Sequence, residues 1–145
     1  MKVADLMTAD PITVTETVSL RAADEKMRVA RFRHLPVVRG ARLVGILSHR
    51  DLLSASLSRL ADHATGTRDA MMEAVDVSQV MNGDVVSVTP ESHLEDAVNT
   101  MLERKIDCLP VVSDDGRLVG ILTASDFLKL TRSLLEVTRL NGAAE

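Results

Sequence analysis

The amino-acid sequence predicts an α/β fold of the α+β type, with two β-α-β-β-α repeats whose sheets pack together about a pseudo-twofold axis. The prediction depends on internal repetition, because a missed repeat misassigns the whole fold. Three features occur twice: Leu-Pro-Val-Val at 35–38 and 109–112, Leu-Val-Gly-Ile-Leu at 43–47 and 118–122, and an aspartate four residues after that second block, at 51 and 126. Two matched sets of polar residues predict two equivalent clefts.

The first half of each repeat reads as a strand followed by a helix. A shift of 74 residues lays Met7 on Met81 and continues through the Leu-Pro-Val-Val block. Short β-branched runs at 12–15 and 86–89 predict the first strands. Apolar residues at helical spacing then predict the helices. These residues are Leu20, Ala23, Met27 and Ala30 in the first repeat, and Leu94, Ala97, Val98, Met101 and Leu102 in the second.

The second half of each repeat reads as two strands and a helix. The Leu-Pro-Val-Val and Leu-Val-Gly-Ile-Leu blocks are apolar at successive positions, which is typical of buried strands. Glycines at 40 and 116 predict the tight turns between them. A helix is expected to begin after Ser48 in one copy and after Thr123 in the other. Ser92-His-Leu-Glu95 has the form of a capping box for the helix predicted to begin near Leu94.

The chain is predicted to divide into repeat 1 (1–60), a connector with a short helix (61–75) and repeat 2 with a C-terminal helix (76–145). Within the connector, residues 61–66 read as a loop and residues 67–75 as a short helix capped by Thr67.

The last helix is expected to run from Ala124 to about Leu140 and to stop at Asn141-Gly142. Its apolar stripe is longer than one small repeat can cover, so it predicts a subunit contact and a homodimer. The stripe consists of Phe127, Leu128, Leu130, Leu134, Leu135, Val137 and Leu140.

Composition excludes several classes of function. Phe32 and Phe127 are the only aromatic residues, so stacking platforms for single-stranded nucleic acid are nearly absent. The net charge of −4 and the lack of basic runs argue against binding to a phosphate backbone. No apolar run approaches the roughly 20 residues of a membrane span. Cys108 is alone, which excludes an internal disulfide and fits a reducing cytoplasm.

The repeated pattern resembles the CBS domain family, named after cystathionine β-synthase. The resemblance is carried by Leu6-Met7 and Val80-Met81, by the two repeated strands, and by the Ser-x-x-Asp and Thr-x-x-Asp sequences that follow them. It implies that two repeats form one module and that adenosine compounds such as AMP, ADP, ATP or S-adenosylmethionine bind between them; NAD is a further candidate. It also implies a regulatory role towards a protein target. No enzyme, channel or transporter domain is evident, so a stand-alone pair is expected.

The chemistry of the polar residues supports a nucleotide site. A carboxylate such as Asp51 or Asp126 can accept hydrogen bonds from both ribose hydroxyls, and charge-assisted bonds are the stronger kind. A hydroxyl at a helix start, as at Ser48 or Thr123, suits a phosphate. Ile12 with Pro36 and Val86 with Pro110 could wall the adenine, and in the family the segment entering the first strand lines the base pocket. The candidate ligand-binding residues are therefore Ile12, Thr13, His34, Pro36, Ser48, Arg50, Asp51, Val86, Ser87, Cys108, Pro110, Thr123, Ser125 and Asp126.

Two alternatives to a ligand site stay open at this point. Ser-x-x-Asp and Thr-x-x-Asp are also helix-capping patterns, and capping can coexist with ligand binding. The chain could also be a structural protein that dimerises and holds a partner while its clefts stay empty. An enzyme is not expected, since no phosphate-binding loop, dinucleotide fingerprint or nucleophile elbow is present. No metal is expected either, because the histidines lack ligand spacing and Cys108 reads as a core residue.

The two predicted sites differ in charge. Arg33, His34 and Arg50 of the first repeat correspond to Asp107, Cys108 and Ser125 of the second. The site near Arg50 is therefore expected to prefer more phosphates, and the site of Asp126 few or none. Asp107 would repel phosphate if it faces the groove, and Lys105, which matches Arg31, keeps one positive charge.

Overall fold

The computed structural model describes residues 1–62 and 68–143, and it confirms a mixed α/β fold with two three-stranded sheets. The elements in chain order are α1 (Val3–Leu6), β1 (Thr8–Ala9), β2 (Val14–Thr15), α2 (Leu20–Ala30), β3 (His34–Arg39), β4 (Arg42–Ser48), α3 (His49–Asp62), α4 (Arg68–Ala74), a 3-10 turn (Val77–Gln79), α5 (Leu94–Arg104), β5 (Cys108–Val112), β6 (Leu118–Thr123) and α6 (Ala124–Ala143).

Each sheet is centred on one of the predicted hairpins. In the first sheet β2 pairs in parallel with β3, and β3 pairs antiparallel with β4. In the second sheet β5 pairs antiparallel with β6, and Val88 makes a single parallel bridge to Val111 where the first sheet has β2. The turns fall at Gly40 (φ 63°) and Gly116 (φ 84°), as predicted, because glycine adopts positive φ without strain.

The segment that enters each repeat pairs with the sheet of the other repeat. β1, from the start of the chain, lies antiparallel to β6 with Thr8 opposite Ile121. Asn82, from the start of the second repeat, bridges to Ile46 of β4 in the same way, with N–H to carbonyl bonds of 2.9 and 3.0 Å in the two directions. The two repeats are therefore joined by an exchange of strands.

Two separate cores follow the same exchange. The first packs α2, β3, β4 and α3 together with Val77 and Met81 from the second repeat. The second packs α5, β5, β6 and α6 together with Val3 and Met7 from the first repeat. Each core therefore depends on residues from both halves of the sequence.

The two hairpins meet across the predicted pseudo-twofold axis. Arg42 and Arg117 form an antiparallel bridge at the meeting point, and the Leu118 N–H donates to the Ala41 carbonyl over 3.0 Å. Val37 faces Val14 and Gly45, while Val111 faces Val88 and Gly120, so the two valines occupy matching environments. This equivalence confirms the predicted architecture.

Several local predictions were wrong. Ile12 and Thr13 precede the strand, and the Thr13 carbonyl instead accepts a bond of 2.5 Å from the Lys26 ammonium. Residues 86–89 form only the bridge at Val88. The predicted capping box at Ser92 does not form, because the Ser92 hydroxyl accepts from the N–H of Thr89 and residue 93 is the N-cap.

The last helix also differs from its prediction, since it continues through the expected stop to Ala143. Asn and Gly each cost a helix only about 1 kcal/mol or less relative to alanine, and no proline follows to break it. In the connector, α4 lies where a short helix was predicted. The predicted cap Thr67 and residues 63–66 of the predicted loop lie outside the described residues. Across residues 1–62 and 68–143, no helix is both long enough and apolar enough to cross a membrane.

Candidate functional site

Matching turns bring residues 31–34 and 105–107 to the centre of the molecule. α2 ends at Arg31 (φ 59°) and α5 ends at Lys105 (φ 55°), both in the left-handed conformation that closes a helix. The His49 N–H then donates to the Arg33 carbonyl over 2.7 Å, and the Ala124 N–H donates to the Asp107 carbonyl over 2.9 Å. Each central segment is thereby fixed beside the first turn of the helix that follows its own hairpin.

One cleft, of about 570 Å³, lies between the repeats at the start of α6; we call it the Asp126 cleft. Repeat 1 contributes the entering segment and the central turn, and repeat 2 contributes the end of β6 and the start of α6. Its lining includes Asp10, Pro11, Ile12, Arg31, Phe32, Arg33, His34, Asp107, Ile121, Thr123, Ser125, Asp126, Leu128 and Lys129. Apolar and charged side chains therefore share the walls of this cleft.

A second cleft, of about 1080 Å³, opens at the start of α3; we call it the Arg50 cleft. Its apolar lining comes from α2, α3 and α5, and its polar lining comes from the helix start and the central turns. Its lining includes Arg28, Arg31, Phe32, Arg33, His34, Ser48, His49, Arg50, Leu53, Leu57, Leu102, Lys105 and Asp107. Arg31, Phe32, Arg33, His34 and Asp107 line both clefts, so the two share a central wall.

The two helix starts use their polar residues differently. At α3, the Ser48 hydroxyl accepts a bond of 3.0 Å from the Asp51 N–H, which is an N-cap interaction. At α6, Asp126 Oδ2 accepts from the Thr123 N–H over 2.8 Å and from the Thr123 hydroxyl over 3.1 Å. Asp126 is only 9% exposed. The capping interpretation is thus correct for Ser48, while at α6 the aspartate supplies the acceptor.

The clefts carry different charges, although Arg33, His34 and Asp107 line both of them. The Arg50 cleft is lined by five Lys or Arg side chains and one carboxylate, that of Asp107. The Asp126 cleft is lined by three, Arg31, Arg33 and Lys129, against three carboxylates. The Arg50 cleft is therefore the more favourable of the two for a polyanion.

One polar contact crosses the central wall. His34 Nε2 lies 2.9 Å from Asp107 Oδ1, with the side chains 20% and 66% exposed. The Asp107 carboxylate therefore lines the groove in contact with a histidine from the other repeat.

Seven of the fourteen predicted site residues line a cleft, and the other seven line neither cleft. Ile12, His34, Thr123, Ser125 and Asp126 line the Asp126 cleft, and His34, Ser48 and Arg50 line the Arg50 cleft. Outside both clefts lie Thr13, Pro36, Asp51, Val86, Ser87, Cys108 and Pro110. Pro36 and Pro110 are buried within their strands, and Thr13 borders a shallow hollow beside α2.

Cys108 is a buried residue beside the Asp126 cleft. Burial, and then the negative charges of Asp107 and Asp126, raise the pKa of its thiol to about 12. The thiol therefore stays protonated, and it is a poor nucleophile and a poor metal ligand. Among the described residues, no three His, Cys, Asp or Glu side chains lie close enough together to hold a metal ion.

Sequence reasoning missed several lining residues, among them Asp10, Phe32 and Lys129. Asp10 has a positive φ of 49°, and positive φ is uncommon outside glycine. Phe32 is 45% exposed and lines both clefts, although it is one of only two aromatic residues in the chain. An exposed aromatic directly after a predicted helix was the available signal for this position.

Comparison with known proteins gives a consistent family. The CBS domain model matches residues 3–58 and 77–133. Inosine-5'-monophosphate dehydrogenase of Korarchaeum cryptofilum is 35% identical over 117 residues, covering 81% of this chain but only 21% of that protein. The chain thus spans about a fifth of the length of that enzyme, and about a quarter of homoserine O-acetyltransferase of Methanocorpusculum labreanum, which is 33% identical over 94% of the chain.

Solved structures agree with the family model. A Vibrio cholerae protein named as an acetoin utilization protein (AcuB) superposes with a TM-score of 0.80 at 37% identity, covering 96% of each chain. CBSX2 in complex with AMP superposes with a TM-score of 0.75 at 30% identity, covering 94% of this chain and 98% of that one. With both repeats matched, the fold shared and two clefts between the repeats, this chain belongs to the CBS domain family.

Proposed function

We propose that this chain is a non-catalytic regulatory module that binds an adenosine-containing ligand, such as AMP, ADP, ATP, NAD or S-adenosylmethionine, between its repeats. The observation that carries the proposal is the Asp126 cleft, which places a nearly buried carboxylate beside the apolar side chains of Ile12 and Ile121. Ligand pockets typically combine apolar walls with a few fixed polar groups. The AMP complex of the related CBSX2 supports the same ligand class.

Asp126 is the proposed ribose ligand. Both of its hydrogen bonds to Thr123 use Oδ2, so Oδ1 remains for the ribose hydroxyls. Ile12 and Leu128 supply apolar surface for the base, and Arg31 and Arg33 supply positive charge at the central wall. This arrangement joins the entering segment of repeat 1 to the helix start of repeat 2.

Ser48 and Arg50 are the proposed phosphate ligands in the second cleft. Both belong to the start of α3, where the helix dipole favours an anion. Asp51, the counterpart of Asp126, does not line this cleft, so its proposed ribose contact requires its side chain to turn towards the cleft. Neither cleft is lined by Thr13, Pro36, Val86, Ser87, Cys108 or Pro110, and we propose them as positions that support the lining residues.

Calorimetry on matched variants tests the ribose assignment. Asp126→Asn and Asp51→Asn keep the shape of the side chain and remove its charge, so each should weaken binding at its own site by about 1.5–3 kcal/mol. Asp114→Asn is the control, because Asp114 is exposed and lines neither cleft. Unchanged affinity in both cleft variants would contradict the assignment.

Thermal-shift screening with AMP, ADP, ATP, NAD and S-adenosylmethionine identifies the ligand. A ligand at a hundredfold excess over its Kd stabilises the folded state by about 2.7 kcal/mol. A shift in the unfolding temperature with one of these compounds and none with inosine monophosphate would support adenosine recognition.

A structural protein with empty clefts is the second candidate. Its supporting observation is that the Asp126 carboxylate already has two partners within the chain, as a purely structural cap would. Under this alternative the module only dimerises and holds a partner. The absence of any thermal shift across the five compounds would favour it.

We also propose that the module forms a homodimer and regulates a protein target in the cytoplasm. On α6, Phe127 and Leu130 pack against the second core, but beyond them Leu134, Leu135 and Val137 are 55–64% exposed. This face needs cover, and a second copy across a twofold axis would supply it. A sedimentation mass near 15.7 kDa at micromolar concentration would contradict the dimer.

We propose the same domain organisation that the sequence predicts. Repeat 1 spans 1–60, the connector 61–75, and repeat 2 with its terminal helix 76–145. The lone Cys108 fits a reducing compartment such as the cytoplasm.

A further inference from the structure

The strongest feature outside the proposed contacts is the pairing of His34 with Asp107. His34 Nε2 and Asp107 Oδ1 are 2.9 Å apart, and the two residues come from different repeats. Both line the Asp126 cleft and both line the Arg50 cleft. The contact therefore lies on the central wall that the two clefts share.

This contact breaks the symmetry of the molecule. The position equivalent to His34 is Cys108, and the position equivalent to Asp107 is Arg33. The symmetric counterpart of the pair would join Arg33 to Cys108, whose thiol is buried and stays protonated. The fold therefore forms its second central turn without such a pair, and the single pair is a property of this sequence.

We propose that Asp107 is a specificity residue. Its carboxylate acts as an anion built into the chain that occupies His34, so an anionic group of a ligand must displace this carboxylate. The proposal rests on the ligand-binding function proposed above, and it adds a determinant of which ligands bind. Carboxylate and phosphate oxygens are both acceptors, so either can lie against His34 Nε2 when that nitrogen carries its proton. Because His34 lines both clefts, a phosphate in either one competes with the same carboxylate.

The surroundings make displacement feasible. Asp107 is 66% exposed, so its carboxylate can move into water at little desolvation cost. Arg31, Arg33 and Lys105 line the neighbouring wall and stay available to the incoming anion. Asp107 is also the single carboxylate among the residues lining the Arg50 cleft, so its removal changes the charge of that cleft most directly.

Calorimetry with pyrophosphate, AMP and adenosine tests the proposal on the full chain. Asp107→Asn should tighten pyrophosphate and AMP binding by about two- to fivefold, the range that exposed charge interactions span. Adenosine, which carries no anion, should bind with unchanged affinity. Asp114→Asn removes the same charge from an exposed turn and should leave all three affinities unchanged.

Repeating the measurement in a His34→Ala protein separates competition for His34 from simple charge repulsion between Asp107 and the ligand. If Asp107 acts by holding His34, the gain from Asp107→Asn should largely disappear in a His34→Ala protein. An equal gain in both backgrounds would overturn the proposal, as would unchanged or absent pyrophosphate binding in Asp107→Asn.

The adenosine arm reports on the proposed function separately. If neither adenosine nor AMP binds while pyrophosphate behaves as expected, the adenosine assignment fails and the competition for His34 stands. If adenosine binds and Asp107→Asn leaves pyrophosphate and AMP unchanged, the specificity role fails alone.

Discussion

At the start of α3 a hydroxyl accepts a backbone N–H from the aspartate, whereas at the start of α6 the aspartate accepts both the N–H and the hydroxyl of the threonine. The two places follow matching strands and have the same spacing of polar residues. Their hydrogen bonds are nevertheless reversed, and only Asp126 lines a cleft. Equivalent positions in a repeat therefore share the backbone path without sharing a side-chain role.

The largest expected contrast between the repeats is at positions 34 and 108. Burial raises the pKa of the Cys108 thiol to about 12, so at pH 8 its thiolate fraction is about a thousandfold below that of an ordinary cysteine. Iodoacetamide should hardly label Cys108 in the folded protein and should label it rapidly in urea. A His34→Cys, Cys108→Ala protein is the matched control, and its thiol, facing both clefts, should react readily without urea.

The same shift makes stability depend on pH. Because the folded thiol has the higher pKa, its contribution is complete below pH 9 and is lost as the pH rises towards 12. Urea unfolding of the native chain and of Cys108→Ala across this range measures it, and equal pH dependence in the two proteins would argue against a buried thiol.

The next largest effect is expected in the free energy of unfolding, when the two strand glycines are replaced. A Cβ added at Gly120 would lie 2.7 Å from the Met7 sulfur and 3.0 Å from the Thr8 carbonyl, and one added at Gly45 would collide with the Met81 side chain. Gly120→Ala and Gly45→Ala should each lower the free energy of unfolding by about 1–3 kcal/mol, as overpacking does. Urea titration measures the loss. A loss confined to one variant would show that the two entering segments are not equivalently packed.

A smaller difference is expected between Asp126 and Asp51, in the stability lost when each is replaced by alanine. Asp126→Ala removes the acceptor of two bonds and should cost about 1–2 kcal/mol of stability. The Asp51 carboxylate accepts no hydrogen bond from any described residue, so Asp51→Ala should stay within about 0.5 kcal/mol of the native protein. Thermal unfolding checks both, and equal losses would contradict the difference between the helix starts.

The smallest expected effect concerns Arg50. It is exposed and lines the more cationic cleft, so Arg50→Ala should weaken ATP binding by about two- to fivefold and leave adenosine affinity nearly unchanged. Its counterpart variant Ser125→Ala should not discriminate between the two ligands. Equal losses of ATP and adenosine in Arg50→Ala would show that Arg50 does not contact phosphate.

The repeat was enough to predict the fold and part of the site. Buried strands, turn glycines and helical spacing are local signals, and each led to the observed element. The positions of Arg31, Phe32 and Asp107 were harder, because they depend on how two left-handed helix ends meet across the axis. The contact of His34 with Asp107 joins residues 73 positions apart that no motif relates. Asp51 and Asp126 were assigned equal roles because sequence spacing does not report side-chain direction.

The exchange of entering segments has a consequence for how the chain folds. Thr8 must find Ile121, more than a hundred residues away, before the second sheet is complete. Pairings of such sequence separation slow folding, because the loop-closure entropy is lost before the contact forms. During synthesis Thr8 and Ala9 therefore stay unpaired until β6 has emerged. Neither repeat can complete its sheet alone, so a severed half would be expected to recruit the missing segment from another molecule.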